Sequence, residues 1–208
     1  MEMTGRLWLT SFTHIAESKR QKYPEEPWND FKLTAFMQDV MDEVGEKMNC
    51  YVVRKRPGDK EQSREYLNLD AIFFDRTEYD LAKDKSWNPF VIPRVVVELE
   101  NDYKIHKISY CLWKILCVRA PTRVLICYQK DKNRVATLRQ HLEKLIWQGS
   151  LMKGDEGDLL VIIGDDSFAV SKTLSTTYFG DYYYVFEWRD DKLANAEGVD
   201  WSLYIPRI

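Results

Sequence analysis

Apolar positions along this chain follow two patterns, a helical spacing of three to four residues and short unbroken runs, and their order outlines a fold. Leu33, Phe36, Met37, Val40, Met41, Val44 and Met48 repeat at helical spacing and predict a helix over 31–48, with Asp30 as its N-cap. CYVVRKR at 50–56 predicts a strand, which Pro57, Gly58 and Asp59 break into a turn. YLNLDAIFFD at 66–75 predicts a second strand, followed by a polar, charged loop to Pro93. RVVVELE at 94–100 predicts a third, and its valine run points to a buried, central position.

Ile105, Ile108, Leu112, Ile115 and Leu116 predict a second helix over 103–118, ended by Pro121. RVLICY at 123–128 predicts a fourth strand, and Val135, Leu138, Leu142, Leu145 and Ile146 predict a helix over 132–148. LLVIIG at 159–164 and YYYVFEW at 182–188 read as further strands. Residues 1–29 are mixed and read as an N-terminal extension, with no internal repeat there or elsewhere. The three successive strands can meander, and the helical crossover makes the fourth parallel to the third. The expectation is one α/β domain over 1–208, a central mixed sheet flanked by helices in the order αβββαβ over 31–128, with a C-terminal α/β extension over 129–208. Residues 150–208 are open to three roles: extending the sheet, recognising substrate, or pairing two copies as a homodimer.

Composition adds few constraints. With 45% hydrophobic residues and a formal charge of −3, the chain can fill a core and does not read as disordered. The cysteines, Cys50, Cys111, Cys117 and Cys127, form no CxxC pair and lie in apolar stretches, so they read as free thiols in a reducing, cytoplasmic setting. No apolar run is long enough to span a membrane, and the start of the chain lacks the pattern of a secretory signal. Overall charge gives no support for nucleic-acid binding. Locally the balance differs: residues 102–139 carry nine Lys or Arg against two acids, which suits a phosphate backbone.

The chemistry concentrates on the predicted strands. Side chains on a strand alternate faces. Asn68, Asp70 and Ile72 would therefore share one face of the second strand, and Glu98 and Glu100 one face of the third. Each buried carboxylate costs several kcal/mol unless it is paired or holds a metal. Oxygen ligands of this kind suit magnesium, manganese or calcium. Glu43 falls at the edge of the first helix's apolar stripe and is the acid there best placed to join them. Lys114 lies on a helical wheel with Lys107, Tyr103 and Tyr110, away from the aliphatic stripe, which a solvated face would also explain, yet far enough along the helix to pass the glutamates; Lys104 is its rival. His14, His106 and His141 lack ligand spacing, and the tyrosines at 182–184 read as packed strand rather than a base-stacking platform.

The order of elements, with Asp70 in the second strand and the acid pair Glu98 and Glu100 ending the third, resembles the PD-(D/E)xK, or restriction-endonuclease-like, nuclease superfamily. Asp70 matches its aspartate and Glu98 its acid, while Glu100 stands where the motif has lysine. VELEN, WKIL and APTRVLICY also look like members with a glutamate, any residue, glutamate, asparagine signature. The resemblance implies that Lys114 is the relocated lysine and that Asn101 flanks the site. It further implies a nuclease hydrolysing phosphodiester bonds of nucleic acid, DNA before RNA, with Mg2+ or Mn2+ held by Asp70, Glu98 and Glu100. The missing strand lysine leaves a second reading open, a catalytically inactive module binding nucleic acid or protein in a larger complex.

Overall fold

The computed structural model describes residues 3–20, 30–54, 68–83, 91–152, 157–167 and 182–196. Five helices, α1 (Met3–Arg20), α2 (Asp30–Lys47), α3 (Arg76–Lys83), α4 (Ile105–Leu116) and α5 (Lys132–Gly149), accompany seven strands among these residues. The strands are β1 (Cys50–Arg54), β2 (Ala71–Asp75), β3 (Val95–Glu100), β4 (Thr122–Gln129), β5 (Asp158–Asp165), β6 (Tyr183–Arg189) and β7 (Lys192–Asn195). They form one sheet in sequence order, with β3, β4 and β5 parallel and every other neighbouring pair antiparallel. The expected meander and parallel fourth strand are both present, and β5, β6 and β7 take the sheet-extending role. The predicted turn at Pro57–Asp59, the start of the second strand at 66–67 and the Asp30 capping side chain lie outside the described residues.

Both faces of the sheet are covered. On one, Phe73, Val95, Val97, Val124 and Ile126 meet Trp8, Phe12, Phe36, Met37 and Val40 of α1 and α2. On the other, Ile72, Val96, Leu125, Val161 and Ile163 meet Ile108, Leu112, Ile115, Val135 and Leu138 of α4 and α5. Double coverage explains the unbroken apolar runs of the parallel strands, where β4 buries all eight residues. Two successive crossovers moving the same way across the sheet lay α4 and α5 on the same face.

Three elements depart from the sequence reading. The supposed N-terminal extension contains α1, whose Trp8 and Phe12 are fully buried and stacked at 4.8 Å. Its stripe is hard to see because Ser11, Thr13 and Glu17 are buried among the apolar residues. The loop after β2 begins with α3, capped where the Glu78 N–H donates to Asp75 Oδ1 at 3.1 Å. Asp75 and Glu78 stand at the spacing of a capping box, a legible signal for so polar a helix. β7 is a short edge strand with a single fully buried side chain, Leu193, and too little pattern to announce it.

Gly164 on β5 marks a close approach between neighbouring strands. A Cβ there would meet the Tyr128 ring at 2.5 Å, and Tyr128 is buried against Tyr182 and Tyr183. Gly164→Ala should therefore destabilise the fold by roughly 1–3 kcal/mol, the usual cost of overpacking a fixed core. Urea denaturation checks this, and a variant as stable as the parent would mean that the tyrosine layer yields freely.

Candidate active site

Alternation along β3 sends Val95, Val97 and Leu99 toward α1 and α2 and Val96 toward α4 and α5, so Glu98 and Glu100 face the α4 side. Ala71 pairs with Val97 across the antiparallel β2–β3 register, and one further step sets Asp70 opposite Glu98. Asp70 is not in mid-strand. It sits at a bend just before β2, because Asn68 adopts a left-handed φ of 56° and delays the strand. Its Oδ2 accepts the Leu99 N–H at 2.8 Å, which fixes the carboxylate against β3.

Glu98 is 1% exposed, and its Oε2 lies 2.6 Å from the Lys114 ammonium of α4. Its other oxygen, Oε1, is buried without a hydrogen-bond partner. Burial, followed by the negative charge of Asp70, pushes the Glu98 carboxyl up to about 7 against the opposing pull of Lys114. Burial also works against the Lys114 charge, but the hydrogen bond and charge of Glu98 outweigh it, so the ammonium's pKa is raised. Lys114 is 9% exposed, so the helical wheel misleads, while the preference for a lysine well down the helix agrees with its place beside Glu98. Lys107 shares its angular position yet is exposed, since it lies nearer the start of α4 and pairs with Asp102 at 2.8 Å. The rival Lys104 is exposed and also pairs with Asp102, at 3.3 Å.

The remaining predicted residues have separate partners. Glu100 turns its Oε1 to the Asp102 N–H at 2.8 Å, bracing the chain as it leaves β3. Glu43 is not brought to the group: α2 covers the opposite face of the sheet, and the Glu43 carboxylate pairs with Lys19 of α1 at 2.6 Å. Asn101 donates from Nδ2 to Thr34 Oγ1 at 2.8 Å and so ties the end of β3 to α2. Cys111 is a neighbour that sequence reading missed. Its Sγ lies 3.7 Å from Glu100 Oε2, and burial, then the charge of Glu98, raises the thiol's pKa. Its position three residues before Lys114 was the available signal.

Among the described residues no three His, Cys, Asp or Glu side chains are grouped to hold a metal ion. Asp70 and Glu98 remain as a pair of neighbouring carboxyl groups, and Glu98 Oε1 is a buried oxygen without a hydrogen-bond partner that a cation could take once the group is ionised. That donor set fits a small hard cation of the magnesium type, which binds through one or two carboxylates and keeps several waters. Further along the same sheet edge, Asp166 accepts from the hydroxyls of Tyr103 and Tyr182. Tyr182 and Tyr183 are buried, consistent with packed strand rather than a stacking platform. Cys50, Cys111, Cys117 and Cys127 are free, with Cys117 exposed. No described helix is long and apolar enough to cross a membrane. The chain matches no protein-family model, no curated protein and no solved structure.

The raised Glu98 pKa has a consequence for stability. Between its ordinary 4.5 and about 7, the folded chain retains a proton that the unfolded chain has released. The contribution of this group to stability therefore falls as pH rises through that window. Glu98→Gln removes the titration. In metal-free buffer the parent should lose stability relative to the Gln variant between pH about 4 and about 8, by up to roughly 3 kcal/mol. Denaturation curves at several pH values give the difference, and a gap that stays constant would show that burial does not hold the Glu98 proton.

Proposed function

We propose that this chain is a divalent-metal-dependent hydrolase of nucleic-acid phosphodiester bonds, DNA before RNA, built on a restriction-endonuclease-like core. The observation that carries the reading is the Lys114–Glu98 contact of 2.6 Å on the sheet face that Asp70 also occupies. It supports the match of Asp70 and Glu98 to the superfamily's acids and of Lys114 to a lysine moved onto the following helix. The order α2, β1, β2, β3, α4, β4 supports the same core, with α3 inserted between β2 and β3. Four free cysteines fit a reducing, cytoplasmic setting.

Asp70 and Glu98 would hold Mg2+ or Mn2+, which when bound supplies a water of lowered pKa and neutralises phosphate charge. The Leu99 amide keeps the Asp70 carboxylate oriented. Lys114 favours the ionised form of Glu98 in a site that otherwise favours the protonated one. Its remaining donors would orient a water or meet charge developing on the phosphate. Glu100 and Asp102 shape the loop above the site. A second reading, a catalytically inactive module binding nucleic acid or protein, is favoured by one observation: Glu100 serves its own loop, leaving two acids where three were expected.

Supercoiled plasmid incubated with the chain and Mg2+ or Mn2+ should be nicked, and EDTA should stop it. Glu98→Gln and Asp70→Asn should abolish cleavage. Lys114→Met should lower it by roughly 10²-fold, the scale of one preorganised charge, and Lys104→Met should cleave like the parent. Calorimetry separates the two readings. A chain that binds neither metal ion, or whose Glu98→Gln variant cleaves as well as the parent, is not this hydrolase.

A further inference from the structure

The solvent face of α4 carries two large aromatic side chains that the core does not use. Tyr110 is 58% exposed and Trp113 is 47% exposed. Their rings stack on each other, with centroids 5.7 Å apart and planes 22° apart. Single exposed aromatics are ordinary, but two stacked together on one helix face form a contiguous apolar patch, the kind that marks an interaction surface. Tyr110 also adjoins the site: the Lys114 ammonium that pairs with Glu98 lies 5.6 Å from the centre of its ring.

Charge on the same helical layer narrows the partner. α4 contains no acid, and α4 and α5 together carry six Lys or Arg against one acid, Glu143; Lys107, Lys114 and Arg134 pair with Asp102, Glu98 and Asp131 from outside the two helices, and Lys132, Arg139 and Lys144 add positive charge beyond those pairs. Glu143 is engaged, accepting the Leu193 N–H at 3.0 Å. The whole chain has a formal charge of −3, so this layer opposes the rest of the molecule in sign. A second copy docking here about a two-fold axis would set this basic surface against itself. An anionic polymer with flat apolar groups satisfies both features: phosphates meet the cations and bases meet the rings.

We infer that Tyr110 and Trp113 form a stacking platform for unpaired bases of a nucleic-acid strand, beside the Lys114–Glu98 site. The inference rests on the reading that the chain acts on nucleic acid, and it adds that the strand presented to the site is single or locally unpaired. In a duplex the bases already stack on one another, so the platform discriminates between the two forms.

The test is binding, separate from cleavage. Fluorescein-labelled dT16 and a 16-base-pair duplex are titrated with the full chain in EDTA, read by anisotropy at several salt concentrations. The parent should prefer dT16. Tyr110→Leu and Trp113→Leu should each weaken dT16 binding by roughly tenfold, the scale of one lost base stack, and weaken duplex binding far less. Tyr110→Phe and Trp113→Phe should restore most of the affinity, because a flat ring suffices. The salt dependence should stay parental, since no phosphate contact is removed. Leu variants that bind dT16 like the parent overturn the platform, as does an equal loss for duplex and single strand. So does a parent dimer, seen by sedimentation, that Trp113→Leu dissociates. A parent that binds dT16 through these rings but never cleaves with metal leaves the platform standing and removes the hydrolase reading. A parent that cleaves while the Leu variants bind normally does the reverse.

Discussion

A carboxylate under a helix, on a sheet covered from both sides, costs several kcal/mol unless a counter-charge reaches it. Glu98 is in that position, and Lys114 supplies the charge from sixteen residues further along the chain. The link between β3 and α4 is short, so the crossover folds α4 directly back over the strand that precedes it. The pair then constrains how α4 is rotated. Ile108, Cys111, Leu112 and Ile115 share the inner side with Lys114, and the same rotation turns Tyr110 and Trp113 outward. Burial of the site acid and exposure of the aromatic pair are two results of one packing decision.

The acids that looked alike along the chain have distinct roles because their surroundings differ. Asp70 is held by a backbone amide, Glu98 by an ammonium with one oxygen left over, and Glu100 by the loop that follows it. Burial next to Asp70 raises the pKa of Glu98, and a bound cation would favour its ionised form. Glu43 is separated from them by the sheet itself. A group of two neighbouring carboxyls and one lysine is therefore what the tertiary structure assembles from a longer set of candidates.

The C-terminal strands matter to this site without touching it. β5 gives β4 its second parallel neighbour, and β6 and β7 carry the sheet on to its edge. β4 is thereby an interior strand, as β3 already is between β2 and β4, and Glu98 lies dry beneath α4 on that closed part of the sheet. Gly164 lets the Tyr128 ring lie close against β5, and Tyr128 meets Tyr183 through a hydroxyl contact of 3.1 Å.

Local chemistry was enough to determine α2, β1, β3, α4, β4, α5, β5 and β6, because each carries a strong period or an unbroken apolar run. It also determined that Glu98 and Glu100 share a face, since strand alternation is a property of the backbone alone. It did not show α1, where buried polar residues blur the stripe, or α3, whose capping box stands in an otherwise polar stretch. Distance along α4 already favoured Lys114 over Lys107 and Lys104, but the burial of Lys114 was decided only by tertiary structure. A helical wheel records angle and discards height, so Lys107 and Lys114 look equivalent on it. In the folded chain one stands above the edge of the sheet in water and the other lies over a buried glutamate, and that difference exists only once α4 has been laid across β3.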